Sequence, residues 1–577
     1  MKGPTTPQSA REDVIRVYPT DYANKLGGNR AISVWTILVM VLLGLTDRAH
    51  SAANTVTSLA DNGAGSLRAA IAGSAAGDLI VFGLTGTITL TSGEIVVTKN
   101  LTIAGPGISN LVISGNRSQR VLYLNTNINL NLSHLTIANG AADNGAAIYN
   151  SGGNLVLHHC SLINNSVTGW AAPDYSGNPG TNGSGGAVYN SGLLNAINCT
   201  FLSNSVAGGA GAISARPSGK GGAGGDGNGG ALGNVGTLIM TACSLVNNSA
   251  TGGAGGAGGA GAYSPSSSPG GTGGAGGCGN GGSLFNSGSA SLVNCTFALN
   301  GSAGGQGGSG GSGSPPFNQG SFSGNGGNGG NGGPAYSAIY DVSGQCNLTH
   351  CTVASNPATQ GPGGSGGPPG PWIYPGPPHQ GQPGGNGSSG PPGSGLKTMG
   401  AHLINTLLSD NTPFNCIGTL SDAGHNLSSD SSYAFGPDST TNTNPKLGPL
   451  ANNGGPTLTL ALLPDSPAID AGASLESPIT DQRGVARPQG RGVDIGAYEY
   501  QSTIPQFTGA KFQSASSFSL QAWGMPNQTY ILQVSTNLPF WFELAGVQTD
   551  PNGMCEMLDS HLGPANARFY QLKVPTP

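Results

Sequence analysis

The chain has 577 residues, with 103 Gly and 39 Pro but only 8% charged side chains and a formal charge of −5. So few charges exclude an acidic or basic disordered chain, and the net negative sign argues against nucleic acid as a partner. A glycine share this large is foreign to an ordinary enzyme domain, and the length calls for several domains or a repeat architecture.

Residues 1–53 read as an N-terminal extension and signal peptide. The apolar run Ala31–Leu45 spans 15 residues, follows Lys25 and Arg30, and precedes the small-residue stretch Ala49-His50-Ser51-Ala52-Ala53. A membrane span needs ~20 apolar residues, so this run is expected to direct export, with an uncleaved anchor as the alternative. A membrane is expected to meet the chain only through this segment.

From about residue 100 a unit repeats. Gly-Gly-Ala-Val-Tyr-Asn-Ser-Gly at 185–192 has variants at 145–152, 229–236 and 281–288. Past each copy stands a cysteine: Cys160, Cys199, Cys243 and Cys295. Fixed spacing inside a unit with variable spacing between units predicts a solenoid. In Leu155-Val156-Leu157-His158-His159-Cys160-Ser161-Leu162 the apolar residues fall at 155, 157, 160 and 162, as two short strands joined by a corner with alternate residues facing inward. The same reading places Leu194, Ala196, Cys199 and Phe201 inside, then Leu238, Met240, Cys243 and Leu245, then Ala290, Leu292, Cys295 and Phe297, then Cys346, Leu348, Cys351 and Val353. Five residues past each of these cysteines stands an asparagine: Asn165, Asn204, Asn248, Asn300 and Asn356. Asn tolerates a left-handed corner and its amide can bond to the Asn stacked above, so an axial ladder is expected.

Between units lie Gly-rich insertions at 168–184, 207–228, 250–280, 301–334 and 357–395, all expected on one edge of the solenoid. Gly-Gly-Ala triplets at 252–260 and Asn-Gly-Gly triplets at 325–333 have the period of the polyproline II helix. Such helices could pack side by side as a Gly-rich flank; flexible coil is the alternative.

Chemistry-bearing residues are sparse. Nine cysteines is an odd number for an exported protein; five form the inward column as buried thiols, and Cys278, Cys416 and Cys555 are the candidates for pairing or redox activity. No Glu occurs between Glu94 and Glu476, and the acids from 125 to 410 are Asp143, Asp174, Asp226, Asp341 and Asp410, each assigned to a different coil. Glycoside hydrolysis needs two neighbouring carboxylates, and Ca²⁺-assisted lysis needs an oxygen cluster with a base. His134, His159 and His350 precede the inward column, where Asn198 and Asn294 also stand; without a third ligand this reads as a polar corner rather than a metal site. No catalytic, metal or cofactor residues are assigned.

The C-terminal part changes character. Asp481, Arg483, Arg487, Arg491, Asp494 and Glu499 concentrate charge in a segment expected to cap the end of the solenoid, with Asp481, Arg483 and Asp494 as a surface ion-pair network. Residues 505–577 contain short alternating strands at 518–523, 529–534 and 569–572, which predict a small β-sandwich; Trp523, Trp541 and Phe542 read as its aromatic core rather than a sugar platform.

The ladder of units resembles the right-handed parallel β-helix of the pectin-lyase-like superfamily. Thr55-Val56-Thr57-Ser58-Leu59-Ala60-Asp61-Asn62-Gly63-Ala64-Gly65-Ser66-Leu67-Arg68-Ala69-Ala70-Ile71 resembles the opening segment of bacterial surface proteins of the polymorphic outer-membrane and filamentous-adhesin-like groups. Ser466-Pro467-Ala468-Ile469-Asp470-Ala471-Gly472, Thr480-Asp481-Gln482-Arg483-Gly484 and Val493-Asp494-Ile495-Gly496-Ala497-Tyr498-Glu499 are similar to the close of the choice-of-anchor Q family. The expected class is all-β: a capping segment at 54–100, a parallel β-helix at 101–450, a choice-of-anchor Q-like close at 451–501 and the sandwich at 505–577. The resemblance implies a secreted or outer-membrane-associated surface protein with an adhesive or structural role toward a polysaccharide or cell-surface ligand. The alternative is a polysaccharide lyase or glycoside hydrolase acting on a cell-surface or environmental glycan, which rests on fold likeness alone.

Overall fold

The computed structural model describes residues 15–17 and 53–573, apart from short gaps at 376–377, 476, 502–504, 515–516, 525–527, 539, 551–552, 561 and 563–566. The apolar run Ala31–Leu45 lies outside the described residues, and no described helix is long and apolar enough to cross a membrane. The chain divides into two units. One comprises His50–Val485 and Asp494–Tyr498; the other comprises residues 486–493 and 499–577 with the strand Ile15–Val17.

The first unit is a parallel β-helix, as the repeats predict. One coil runs through a strand at Val188–Asn190, a Ser-Gly bend, a strand at Leu193–Ile197, a left-handed corner at Asn198 (φ 54°) and a strand at Thr200–Leu202. A second left-handed corner at Ser203 (φ 54°) leads into Ser205–Ala207 and the insertion. Successive coils stack in strict register: Leu155, Leu194, Leu238, Ala290 and Cys346 pair one above another in the parallel ladder. The result is an 18-stranded sheet facing a ten-stranded one. Every inward position read from the sequence is buried, from Leu155 and Cys160 to Cys351 and Val353. Each buried Leu or Phe contributes roughly 1.5–3 kcal/mol, and a column of them replaces the globular centre that a solenoid lacks.

The asparagine ladder is present. Asn204 Nδ2 donates to Asn248 Oδ1 at 3.0 Å and Asn248 Nδ2 to Asn300 Oδ1 at 2.9 Å. Each also donates to a strand carbonyl, Leu162 O from Asn204 and Phe201 O from Asn248, both at 2.9 Å. The left-handed residue is the one before the ladder asparagine: Asn164, Ser203, Asn247, Leu299 and Ser355 have φ between 54° and 59°. That strained residue turns the chain so that the following Asn points inward, where its amide satisfies backbone groups that the corner would otherwise orphan. A second ladder, not foreseen from the sequence, runs through the Asn of the repeated motif, with Asn150, Asn190, Asn234 and Asn286 linked at 2.7 Å. It ends on buried Asp341, which accepts from Asn286 Nδ2 at 2.8 Å and Thr398 Oγ1 at 2.9 Å.

The helix Leu67–Gly73 lies at the N-terminal end of the core, with Leu67 and Ile71 buried and Ser66 as N-cap, its Oγ accepting from Ala69 N at 3.2 Å. At the other end Cys416–Asp422 pairs with the strand Leu396–Ile404, and Leu420, Tyr433 and Phe435 pack against the core.

The closing segment departs from its expected place. It runs lengthwise along the coils instead of over their end. Thr457 Oγ1 donates to Ala242 O at 3.1 Å, Thr296 Oγ1 to Gln482 Oε1 at 2.6 Å, Ala497 N to Thr352 Oγ1 at 2.9 Å and Gly496 N to Asn405 O at 2.8 Å. Its side chains and backbone N–H groups meet the strand hydroxyls of Thr296 and Thr352 and the corner carbonyls of Ala242 and Asn405, which a bare apolar end layer does not offer. Asp481 pairs with Arg483 at 2.7 Å, with side chains 0% and 4% exposed, so the pair is buried rather than superficial. The Arg483 guanidinium lies 3.6 Å from the Tyr498 ring centroid. Asp494 serves the backbone, accepting from Asp470 N at 2.8 Å.

In the second unit, Gln506–Ser514, Ser517–Trp523 and Met554–Asp559 form one antiparallel sheet. Thr529–Ser535, Phe542–Gln548, Arg568–Lys573 and Ile15–Val17 form the other. Phe518, Leu520, Ala522, Leu532, Met557 and Tyr570 fill the space between them, which makes the predicted small sandwich. Phe542 is 65% exposed and therefore outside this core, contrary to the sequence reading, because the edge strand Phe542–Gln548 carries almost no buried residue. Arg487 and Glu499 form a second buried pair at 2.7 Å in this unit.

Candidate functional sites at the insertion tips and the histidine corner

The Gly-rich insertions are ordered hairpins that pack into a flank. Gly271, Gly274 and Gly277 donate their N–H groups to Gly259, Gly256 and Gly253 at 2.7–2.8 Å, which joins the two arms of one insertion. Gly305, Gly308 and Gly311 donate in turn to Gly277, Gly274 and Gly271 at 2.8 Å, which joins the next insertion. A bond at every third residue is the signature of a three-residue turn, since sheet strands alternate with period two. Gly255 and Gly258 also donate sideways to Gln306 and Ser309 at 2.8 and 2.9 Å, so each arm has neighbours in two directions. Backbones this close exclude side chains: a Cβ on Gly308 would lie 1.9 Å from Gly256 O.

Where the arms turn, aromatic residues collect. Tyr263, Phe317, Phe322, Trp372, Tyr374 and His379 sit at three successive tips, with Tyr263 59% and Phe322 60% exposed. Rings of Tyr263 and Phe317 stand 5.4 Å apart, Phe322 and His379 5.1 Å, and Trp372 and His379 5.5 Å. Tyr374 Oη donates to Phe317 O at 2.8 Å and fastens two tips together. A groove of about 370 Å³ opens beside Phe322, lined by Ser267, Pro269, Asn325, Gln380 and Gln382 among others. Its walls combine an aromatic face with amide and hydroxyl groups and no charge. The Trp372 indole N–H has no hydrogen-bond partner among the described residues.

The histidine corner has more members than the sequence suggested. His134 and His159 occupy left-handed corners of adjacent coils (φ 54° and 49°) with rings stacked at 5.1 Å. His158, the residue overlooked, turns outward at the end of its strand and meets His159 edge-on at 4.4 Å. Asn198 Nδ2 lies 3.2 Å from His159 Nε2. Burial, with His158 and His134 nearby, lowers the His159 pKa. His350 stands elsewhere, fully buried and 2.7 Å from Asn405 Nδ2.

The remaining candidates are structural. Asp143 pairs with Arg120 at 3.2 Å, Asp226 accepts from Cys278 N at 2.7 Å, and Asp410 accepts from Ser409 Oγ at 2.8 Å. These acids serve separate local partners. All nine cysteines are free thiols. Cys416 and Cys555 are buried, and burial raises both thiols, with Cys416 pushed up to about 12. Half-buried Cys278 is likewise pushed up to about 12 by burial and by Asp226. High thiol pKa values oppose the redox role read from the sequence.

No family model matches this chain, and no curated protein matches it.

Proposed function

We propose that this is an exported, surface-associated adhesive protein without a catalytic site, which presents its aromatic insertion tips to a neutral polysaccharide. The observation that carries this reading is the uncharged groove beside Phe322, at the tips of a hydrogen-bonded flank. Aromatic faces stack on the C–H faces of sugars, and amides and hydroxyls bond their hydroxyl groups. Rigid arms hold the tips in place before contact, which lowers the ordering cost of binding. The signal-like run at 31–45 and the resemblance of the closing motifs to choice-of-anchor Q proteins support secretion or outer-membrane association.

The test is binding of the exported chain to a panel of neutral and acidic polysaccharides, with product release recorded alongside. Phe322→Ala and Tyr263→Ala are expected to weaken binding to a neutral glycan by about tenfold each, equal to ~1.4 kcal/mol. Unchanged binding in both variants would refute the tip reading. Depolymerisation that copurifies with the chain would replace adhesion by catalysis.

A further inference from the structure

We propose that His134, His158 and His159 form a binding site for one divalent transition-metal ion, of which Zn²⁺ is the reference case. Each residue offers one ring nitrogen, and these atoms all lie within 4.8 Å of one another. Three imidazoles leave a fourth position open to water on a tetrahedral ion. Zn–N bonds of ~2.0–2.1 Å require the nitrogens to close to roughly 3.3 Å, so the rings must turn toward one another on loading. The donor set selects the metal: imidazoles without carboxylates suit Zn²⁺, Cu²⁺ and Ni²⁺, whereas Ca²⁺ and Mg²⁺ take oxygen ligands.

Three features of the fold assemble the cluster. Stacking places residues of adjacent coils ~4.8 Å apart, so His134 and His159 meet by register alone. The left-handed corner at His159 turns its ring onto the same side as that of its neighbour His158, which an extended strand would send to the opposite face. The Asn198 amide reaches the His159 ring from the next coil, its Nδ2 3.2 Å from His159 Nε2, and restricts how far that ring can turn. The cluster is also accessible. The closing segment bonds to coils from Ala242 to Asn405, whereas His134 is exposed and His158 and His159 are half-buried.

The column composition provides substitutions that keep the fold. Asn stands at the equivalent left-handed corners 198, 294 and 405, and Thr241 and Thr349 stand in the register of His158. His134→Asn and His158→Thr therefore remove ligands while retaining residue types that this backbone already accepts. The experiment is calorimetric titration of the full, untagged, chelator-stripped chain with Zn²⁺ at pH 7.5 and 5.5, with visible absorption on Co²⁺ loading as a second readout. One ion per chain is expected, with at least about tenfold weaker binding in each variant, weaker binding at pH 5.5 as protons compete for the imidazoles, and a Co²⁺ band that either variant abolishes. A Zn²⁺ affinity weaker than about 1 mM, or one that neither variant changes, would overturn the assignment.

Discussion

Substituting Gly308 by Ala isolates what holds the insertions together. The added Cβ would stand 1.9 Å from Gly256 O and 2.5 Å from its carbon, where real Cβ contacts essentially never fall under 3.0 Å. The arm must move by more than an ångström, and Gly308 is bonded on two further sides, donating to Gly274 O and accepting from Gly330 N at 2.8 Å each. Two lost bonds at about 1 kcal/mol apiece, with about 1–3 kcal/mol of overpacking, give a local cost of ~3–5 kcal/mol. Gly385→Ala is the matched control: its Cβ would meet only Asn328 Oδ1, at 3.5 Å, and its backbone bonds survive. Alanine there also narrows the unfolded ensemble, a gain of ~0.4–1 kcal/mol. Amide exchange followed by mass spectrometry reads the difference. Gly308→Ala should accelerate exchange in residues 252–277, 304–314 and 324–333 by on the order of a hundredfold or more, since each 1.4 kcal/mol is tenfold. Coil peptides such as 193–206 should stay protected. Equal exchange in wild type and both variants, or rapid exchange of the wild-type insertions, would refute the packed flank.

Asn248→Ala should destabilise the solenoid by ~3–5 kcal/mol in urea denaturation, because it removes two donated and two accepted bonds at a buried position. Asp61 is buried, which alone would raise its pKa, but bonds from Ser92, Arg68 and Thr91 outweigh this and hold it well below the usual carboxylate range. A depressed folded pKa contributes stability above the unfolded value of ~3.9 and loses it as pH falls toward the folded one. Asp61→Asn should therefore cost ~1–3 kcal/mol at pH 7, and the gap to wild type should shrink below pH 4. Cys278 should alkylate slowly at pH 8 despite its partial exposure, with its thiol pushed up to about 12, and Asp226→Asn should accelerate the reaction several-fold.

The coil was legible because its rules are one-dimensional. Period-two burial and fixed spacing from motif to cysteine put Leu194, Ala196, Cys199 and Phe201 inside, and stacking repeated that answer coil after coil. The triplet period likewise offered packed polyproline II arms, with flexible coil as the alternative, and the backbone bonds between arms decide for packing. What sequence spacing could not supply was direction across a corner. His158 and His159 are consecutive, and strand alternation sends such residues to opposite faces; the left-handed corner cancels that rule. The same geometry moved positive φ from the ladder asparagines to Asn164, Ser203 and Asn247. Two signals were present and unused. The Asn of the repeated motif, at 150, 190, 234 and 286, marked the second ladder, and the aromatics midway between Gly runs, from Tyr263 to Tyr374, marked the tips. The closing segment was misplaced because charge density identifies a polar partner without saying whether that partner is the end or the flank of the stack.

Solenoid and flank solve one problem in opposite ways. The coils bury side chains and satisfy their backbone between strands, so their stability carries the large heat-capacity term of apolar burial. The flank buries backbone against backbone, with glycine at each close approach, and its favourable terms are hydrogen bonds and dispersion between closely packed chains. Apolar burial weakens on cooling, whereas a flank with almost no apolar side chains inside it loses little of its support. Its cost is the conformational entropy of ordering glycine, the largest per residue, and many parallel bonds must form together to meet it. Anchoring both ends of each arm in consecutive coils shortens that search. Ser205–Ala207 and Gly227–Asn228 pair in register with their counterparts above and below, so each hairpin starts and finishes at a fixed point. The coils therefore act as the template on which the glycine flank orders, and the flank in turn holds Tyr263, Phe322 and Trp372 at a distance from the solenoid that flexible loops of the same composition would not maintain.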